Sequence, residues 1–146
     1  MRLTIGFAAL ALGFAAQPTA AQPPEIDRLN DADHAEVTAL STAFFNQIQA
    51  TGVEQAVVTT FTDSAEAANP QLREIYRQID QNCAVLDGIE LAQMTDFGSR
   101  VSRRTYVTTH GNCFLKWEFM FVKRGVSWGW EGFSFESLNG TNWTLP

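Results

Sequence analysis

The sequence predicts an α+β domain in which three N-terminal helices pack on a four-stranded antiparallel sheet. Two observations predict this class. Apolar residues recur at helical spacing up to about residue 79, and beyond residue 88 they alternate with period two. The strongest strand signal is the segment 113–136, in which two aromatic-rich runs flank a polar turn at residues 123–125. This segment is predicted to be a long β-hairpin that organises the rest of the domain.

The predicted helices cover residues 34–50, 53–61 and 70–81. Asp33 and Glu36 have the spacing of an N-cap followed by a reciprocal carboxylate, so Asp33 is predicted to cap the first helix. Asn69 and Pro70 supply a cap and a proline at the first helical position, which together start the third helix. Residues 62–68 are predicted to be a polar connection.

Turn residues at 98–99 and 110–112 separate the predicted strands 89–97 and 100–109 from each other and from the hairpin. In the first hairpin strand the charged residues occupy only even positions, so the odd positions are predicted to face the interior. In the second hairpin strand Trp130 has even parity and Phe133 has odd parity. This change at residues 131–132 predicts a β-bulge, and the neighbouring glycines predict a curved sheet.

The first 21 residues have the pattern of a secretory signal peptide. A basic start is followed by an apolar run over residues 3–16, which is shorter than the roughly 20 residues that span a bilayer. An uncleaved membrane anchor is the alternative. The predicted divisions are a signal peptide at 1–21, a flexible leader at 22–32, a domain at 33–138 and a tail at 139–146. We expect an exported protein, periplasmic or extracellular, that is free of the membrane after cleavage.

Cys83 and Cys113 are the two cysteines of the chain. In an exported protein a pair of cysteines is most simply a disulfide. The alternative is a reactive thiol with His110 as its base, which an oxidising compartment disfavours. We therefore predict a disulfide between them.

The acidic charge of the chain argues against some partners. Sixteen acidic residues stand against ten basic ones, and residues 22–82 hold ten of the acids with only three bases. Nucleic acids and anionic lipid surfaces bind basic patches. Neither is therefore expected as a partner.

No motif in the sequence assigns a catalytic residue, a metal site or a cofactor. Residues 125–129 match G-x-S-x-G, but that motif needs a helix after it and a later histidine, whereas His34 and His110 both come earlier. His34 is predicted to be solvated in the first turn of a helix, and His110 to lie in a turn. Two distant histidines do not make a transition-metal site. Calcium on the acidic half is left open, although no D-x-D-x-D-G loop is present.

Three arginines, Arg100, Arg103 and Arg104, lie close together on the second predicted strand. Since they point to both faces of the strand, a solvated or ion-paired set is expected. Which face of this strand points inward is left open. An arginine on the inward face would need a carboxylate partner or an anionic ligand.

The helical trio and the strands after it resemble the NTF2-like superfamily, its small exported members in particular. The patterns that carry the likeness are W-x-F-x-F at 117–121, W-x-W at 128–130 and F-x-F at 133–135. The likeness covers most of the chain after the leader. It implies a cone, of the kind also described as cystatin-like, in which a long first helix lies in a curved sheet.

In that superfamily the space between helix and sheet can hold a small apolar ligand. The side chains expected to line it here are Tyr106, Leu115, Trp117, Phe119, Phe121, Trp130 and Phe133. The alternative is that these side chains simply fill the core. We expect a non-catalytic domain that binds a small apolar ligand or forms a homodimer, the latter through Phe114, Met120 and Val122 on the outer sheet face.

Some members of the superfamily are isomerases or dehydratases, so a cofactor-free lyase or isomerase is the alternative function. Ketosteroid isomerase uses an aspartate base with a tyrosine and a protonated acid as hydrogen-bond donors. The groups that this chain offers for such chemistry are Tyr76, Tyr106, Asp80, Asp87, Asp96 and Glu118. None of them aligns with the isomerase pattern, so no catalytic residue is assigned.

Overall fold

A computed structural model describes residues 28–138 of the chain. Its helices are α1 (Asp31–Thr51), α2 (Val53–Thr60), α3 (Ala65–Ala68) and α4 (Pro70–Asn82). Its strands are β1 (Gly88–Phe97), β2 (Val101–His110), β3 (Cys113–Arg124) and β4 (Ser127–Ser137). The strands form one antiparallel sheet in the order β1-β2-β3-β4. The α+β class with helices before strands is therefore confirmed. The predicted signal peptide and C-terminal tail lie outside the described residues.

The first helix begins earlier than predicted and has a different cap. The side chain of Asn30 accepts a hydrogen bond from the backbone N–H of Asp33 at 2.9 Å, so Asn30 is the N-cap and α1 begins at Asp31. The prediction that Asp33 is the cap is wrong. Both residue types cap helices well, and here the carboxylate of Asp33 is engaged by the sheet instead.

The other helices agree with the prediction, with one addition. Asn69 caps α4, since its side chain accepts hydrogen bonds from the two backbone N–H groups that follow Pro70. The predicted polar connection over 62–68 contains α3, a single turn whose Ala67 N–H donates to the Ser64 hydroxyl at 3.0 Å. Ser64 starts this turn because its side chain satisfies an N–H that has no partner within the helix.

The predicted bulge in the hairpin is confirmed. Met120 pairs with Gly132 and Phe121 pairs with Trp130, so Glu131 is the extra residue in β4. The hairpin turn lies at residues 125–126 instead of 123–125, because both preceding residues still pair with β4. His110, which was predicted to lie in a turn, is the last residue of β2 and pairs with Cys113. A second bulge at Ala92 in β1 was not predicted.

The helices pack on one face of the sheet, which we call the inner face; the opposite face is the outer face. The odd-numbered residues of β3 lie on the inner face and are buried, as predicted. α1 covers this face through Phe44, whose ring lies 5.4 Å from that of Trp117 and 5.3 Å from that of Phe119. The predicted disulfide is also present, since Cys83 at the end of α4 is bonded to Cys113 at the start of β3.

Candidate functional site

The side chains that were predicted to line a cavity fall into two groups. Five of them are buried on the inner face: Tyr106, Leu115, Trp117, Phe119 and Phe121. The four rings among them contact α1 or one another, with Tyr106 5.1 Å from Phe45 and Trp117 5.4 Å from Phe44. The other two, Trp130 and Phe133, are only partly buried and face an open cleft.

This cleft has a volume of about 410 Å³ and lies between the α2–α3 connection and β4. It is lined by Thr60, Phe61, Thr62, Asp63, Ser64, Trp130, Glu131, Gly132 and Phe133. We call it the β4 cleft. Its volume is within the range of small-molecule sites, which is roughly 300–1,000 Å³.

The bulge at Glu131 gives the β4 cleft its aromatic wall. Without an extra residue, Trp130 and Phe133 would lie on opposite faces of the strand, because side chains alternate. With it, both point inward and contact Phe61 at the end of α2. The ring of Phe61 stacks on Phe133 at 4.3 Å and meets the edge of Trp130 at 5.0 Å.

The opposite wall of the β4 cleft is polar. The Thr62 hydroxyl donates to the carbonyl oxygen of Val58 at 3.1 Å, which fixes the start of the connection after α2. Asp63 also lines this wall, while Glu131 lines the cleft from β4 and accepts a hydrogen bond from Arg124. An aromatic wall facing carboxylates suits a neutral or positively charged ligand with an apolar body, and it disfavours an anion.

A second group of polar side chains lies under the start of α1. Arg104 is 2% exposed on the inner face and has a carboxylate beside it, so of the two expected states, solvated or ion-paired, it has the second. Its Nη2 donates to Nδ1 of His34 at 2.8 Å and lies 3.8 Å from Oδ1 of Asp96. Within the described chain its Nε has no hydrogen-bond partner. Burial lowers the pKa of Arg104, and the charge of Asp96 opposes that shift.

His34 is therefore not the solvated histidine that was predicted. Because a guanidinium can only donate hydrogen bonds, Nδ1 of His34 must accept, and this contact requires an Nδ1 without a proton. Nε2 lies 3.6 Å from Oδ2 of Asp96. The Ser102 hydroxyl donates to the other oxygen of Asp96 at 2.7 Å. His34 and Asp96 thus compensate the buried charge of Arg104, which is a structural role.

A neighbouring contact fastens α1 to the β3–β4 hairpin. Asp33 accepts hydrogen bonds from Lys123 Nζ at 2.5 Å and from Trp128 Nε1 at 2.9 Å. The hydrogen bond from Lys123 is the largest cause of the lowered pKa of Asp33, followed by that from Trp128. Glu36 accepts from the backbone N–H of Trp128 at 3.0 Å. Asp33 and Glu36, the two acids of the D-x-x-E pattern, therefore bind α1 to the β3–β4 hairpin.

His110 is buried beside the disulfide. Its Nε2 lies 3.1 Å from the Thr108 hydroxyl oxygen, which also accepts a hydrogen bond from Trp117 Nε1 at 2.9 Å. Burial lowers the pKa of His110, while a hydrogen bond with the backbone of Ala84 acts in the opposite direction. The neutral imidazole is therefore the form that the fold stabilises.

His110 is expected to make the stability of the fold depend on pH. Because its pKa is lower in the folded chain than the roughly 6.5 of an unfolded histidine, the unfolded state binds more protons between those two values. The free energy of unfolding should therefore be highest above about pH 6.5 and should decrease as the pH falls below it. Urea unfolding at about pH 7.5 and 5.5 measures this. His110→Gln should flatten the decrease; equal pH dependence in His110→Gln and the unmodified protein would contradict the assignment.

Among residues 28–138, no group of three or more His, Cys, Asp or Glu side chains is arranged to hold a metal ion. No helix in the same part of the chain is both long enough and apolar enough to cross a membrane.

The fold and these sites define an α+β domain with a tightly packed aromatic core and an aromatic cleft at its edge. Comparison with known proteins finds no family model that matches the chain, no similar curated protein and no similar solved structure.

Proposed function

We propose that the protein is an exported, non-catalytic domain of the NTF2-like kind, and that it binds a small ligand with an apolar body in the β4 cleft. The observation that carries this proposal is the placement of Trp130 and Phe133, half-buried and facing a cleft of about 410 Å³. The order of helices and strands and the disulfide are compatible with the superfamily and with export.

The site differs from the one that the resemblance implies. The space between α1 and the sheet holds the protein's own rings, with Phe44 within 6 Å of Trp117, Phe119 and Trp130. A ligand at the edge of the core can instead stack on Trp130 without displacing them. Aromatic side chains are effective ligand platforms, because they bury a large area with few rotatable bonds.

The ligand class can be tested with three probes that share one ring and differ in charge: phenyltrimethylammonium, benzyl alcohol and benzoate. The indole N–H resonance of Trp130 should shift with the cation and the neutral probe, and less with the anion, because Asp63 and Glu131 line the cleft. Phe133→Ala should abolish the shift, since it removes half of the aromatic wall.

Phe135→Ala is the matched control for Phe133→Ala. Phe135 is also a partly buried phenylalanine of β4, but its ring contacts Tyr76 at 5.3 Å and Trp117 at 5.4 Å, away from the cleft. Both variants should lose some stability, and only Phe133→Ala should lose probe binding. Equal losses of binding in the two variants, or a preference for benzoate, would contradict the site.

Self-association is a second candidate function, because the sheet carries exposed apolar side chains. On the outer face Phe97 is 51% exposed and Met120 is 39% exposed. The predicted contact set of Phe114, Met120 and Val122 does lie on this face, but Phe114 and Met120 are six positions apart in β3, which is about 20 Å along the strand. Ion pairs of Lys116 with Glu118 and Glu136 lie between them.

A lyase or isomerase has less support. Asp80, the carboxylate one helical turn from Tyr76, accepts hydrogen bonds from the backbone N–H groups of Val53 at 2.6 Å and Glu54 at 3.0 Å and so holds the start of α2. Such an enzyme uses a carboxyl group with a raised pKa beside a tyrosine. The carboxyl groups of Asp33 and Glu74, whose pKa values are shifted, are both shifted downwards.

A further inference from the structure

The strand β1 is an edge of the sheet with an open side. Among residues 28–138 it pairs only with β2, whereas β4 at the other edge lies beside the α2–α3 connection. Its ten residues, GIELAQMTDF, include no proline, lysine or arginine. Proline and lysine are two of the means by which proteins protect an exposed edge from pairing with another strand; β1 has two others, acidic side chains and a bulge.

The inner face of β1 is apolar and uncovered. Ile89, Leu91 and Met94 lie on this face, because they pair with Thr108, Tyr106 and Arg104, which all point inward. The three β2 residues are buried, yet Ile89, Leu91 and Met94 are 47%, 47% and 51% exposed. The face that the helices cover on β2 and β3 thus continues onto β1 as an apolar strip without a cover among the described residues.

The bulge at Ala92 makes this strip complementary to itself. Two copies of β1 can pair antiparallel around a two-fold axis, and full overlap of Gly88–Phe97 places Leu91 opposite Met94 of the second copy. In a regular strand of ten residues this register would place inner residues opposite outer ones, because side chains alternate. The central bulge reverses the alternation, so inner residues meet inner residues on both sides of the axis.

The same register also avoids repulsion. It places Ile89 opposite Asp96 of the second copy, and Glu90 opposite Thr95, so no two carboxylates of β1 are directly opposite each other. Like charges at opposed positions would destabilise the pair. The backbone groups of the open edge would gain partners at the same time.

We propose that a second copy of this chain docks on β1 in this register and joins the two sheets into one of eight strands. The proposal rests on the second candidate function, self-association, and names the surface that carries it. It is independent of the β4 cleft. A two-fold contact of this kind is closed, since each copy offers the same strand once.

The first experiment measures molar mass by light scattering and native mass spectrometry. The protein is expressed from residue 1 in cells with an export pathway, so that any processing takes place. We expect a dimer. Met94→Lys should raise its dissociation constant about tenfold or more, because the substitution places an ammonium group against Leu91 of the second copy. Met120→Lys, an exposed methionine on the outer face, is the matched control and should leave the dimer unchanged.

The register has a test that does not depend on weakening the contact. The double variant Leu91→Cys/Met94→Cys should form covalent dimers on mild oxidation. Directly opposed residues have Cβ atoms about 4.5–5.5 Å apart, and a small backbone shift brings these to the roughly 3.5–4.5 Å of a disulfide. Each single variant should form few, since either residue is about 10 Å from its own copy across the axis.

The outcomes separate the two levels of the proposal. A monomeric unmodified protein would overturn self-association and the β1 contact together. A dimer that Met120→Lys disperses and Met94→Lys does not would keep self-association and overturn β1 as its surface. Covalent dimers that form equally well in the single variants would overturn the register.

Discussion

Replacing Phe44 with alanine is expected to lower the free energy of unfolding by about 3–5 kcal/mol, the usual loss when a buried phenylalanine is truncated. Phe44 is 1% exposed and lies on the face of α1 that meets the sheet. Its ring is within 6 Å of five others, those of Phe45, Phe61, Trp117, Phe119 and Trp130.

The size of this loss follows from the way the rings are held. Trp117 and Phe119 are fixed by the pairing of β3 with both neighbouring strands, so they cannot move into the space that Phe44 leaves. A cavity that the surroundings cannot fill adds its own loss to the lost transfer free energy. The edge-to-face contacts of Phe44 with all five rings would also be lost.

Urea unfolding of Phe44→Ala beside Phe97→Ala measures the effect. Phe97 is a phenylalanine with a 51% exposed side chain, so its truncation should change the free energy of unfolding by only about 0.5 kcal/mol. If both variants lost a similar small amount, Phe44 would border a space that is not tightly packed. The interior ligand site that the resemblance implies would then be the better proposal.

The sheet could be predicted closely because its signals are local. The odd residues of β3 are buried as alternation requires, and the parity change before Phe133 located the bulge at Glu131. The disulfide could be predicted because two cysteines allow one pairing within the chain. The buried face and the bulge depend on residues that are neighbours in sequence, and the disulfide depends only on the number of cysteines.

The polar groups under α1 could not be predicted in the same way. Asp33 binds Lys123 and Trp128, and His34 binds Arg104, across separations of 70–95 residues. The local sequence predicts Asp33 as the N-cap of α1. Asn30, three residues earlier, has an equal propensity for the N-cap position. Only the packing of α1 on the hairpin decides between the two.

The candidate sites could be predicted only in part, because they too depend on how the helices pack on the sheet. Alternation shows which residues share a face, and so it placed Trp130 and Phe133 together. It does not show which part of that face a helix covers. The sequence therefore could not indicate that Trp130 borders an open cleft while Trp117 is fully buried, or that Leu91 and Met94 extend beyond the helices.

Removal of the disulfide by Cys83→Ser/Cys113→Ser is expected to lower the free energy of unfolding by about 3–4 kcal/mol. The bond closes a loop with a sequence separation of 30, and the chain-entropy treatment gives this value for a loop of that length. The bond also joins α4 to the sheet. α4 also contacts the sheet through the Tyr76–Phe135 ring contact, buries Ile79 in the core and is held to α2 by the carboxylate of Asp80.

The loss should therefore be uneven along the chain, and hydrogen exchange can show it. In the double variant the amides of α4 should exchange at a lower free energy than those of β3, which is paired on both sides. In the unmodified protein the two free energies should lie closer together, because opening α4 would also have to strain the strand that begins at Cys113. A uniform decrease over α4 and β3 would mean that the bond acts only on the unfolded chain, and the helices and sheet would then unfold as one unit without it.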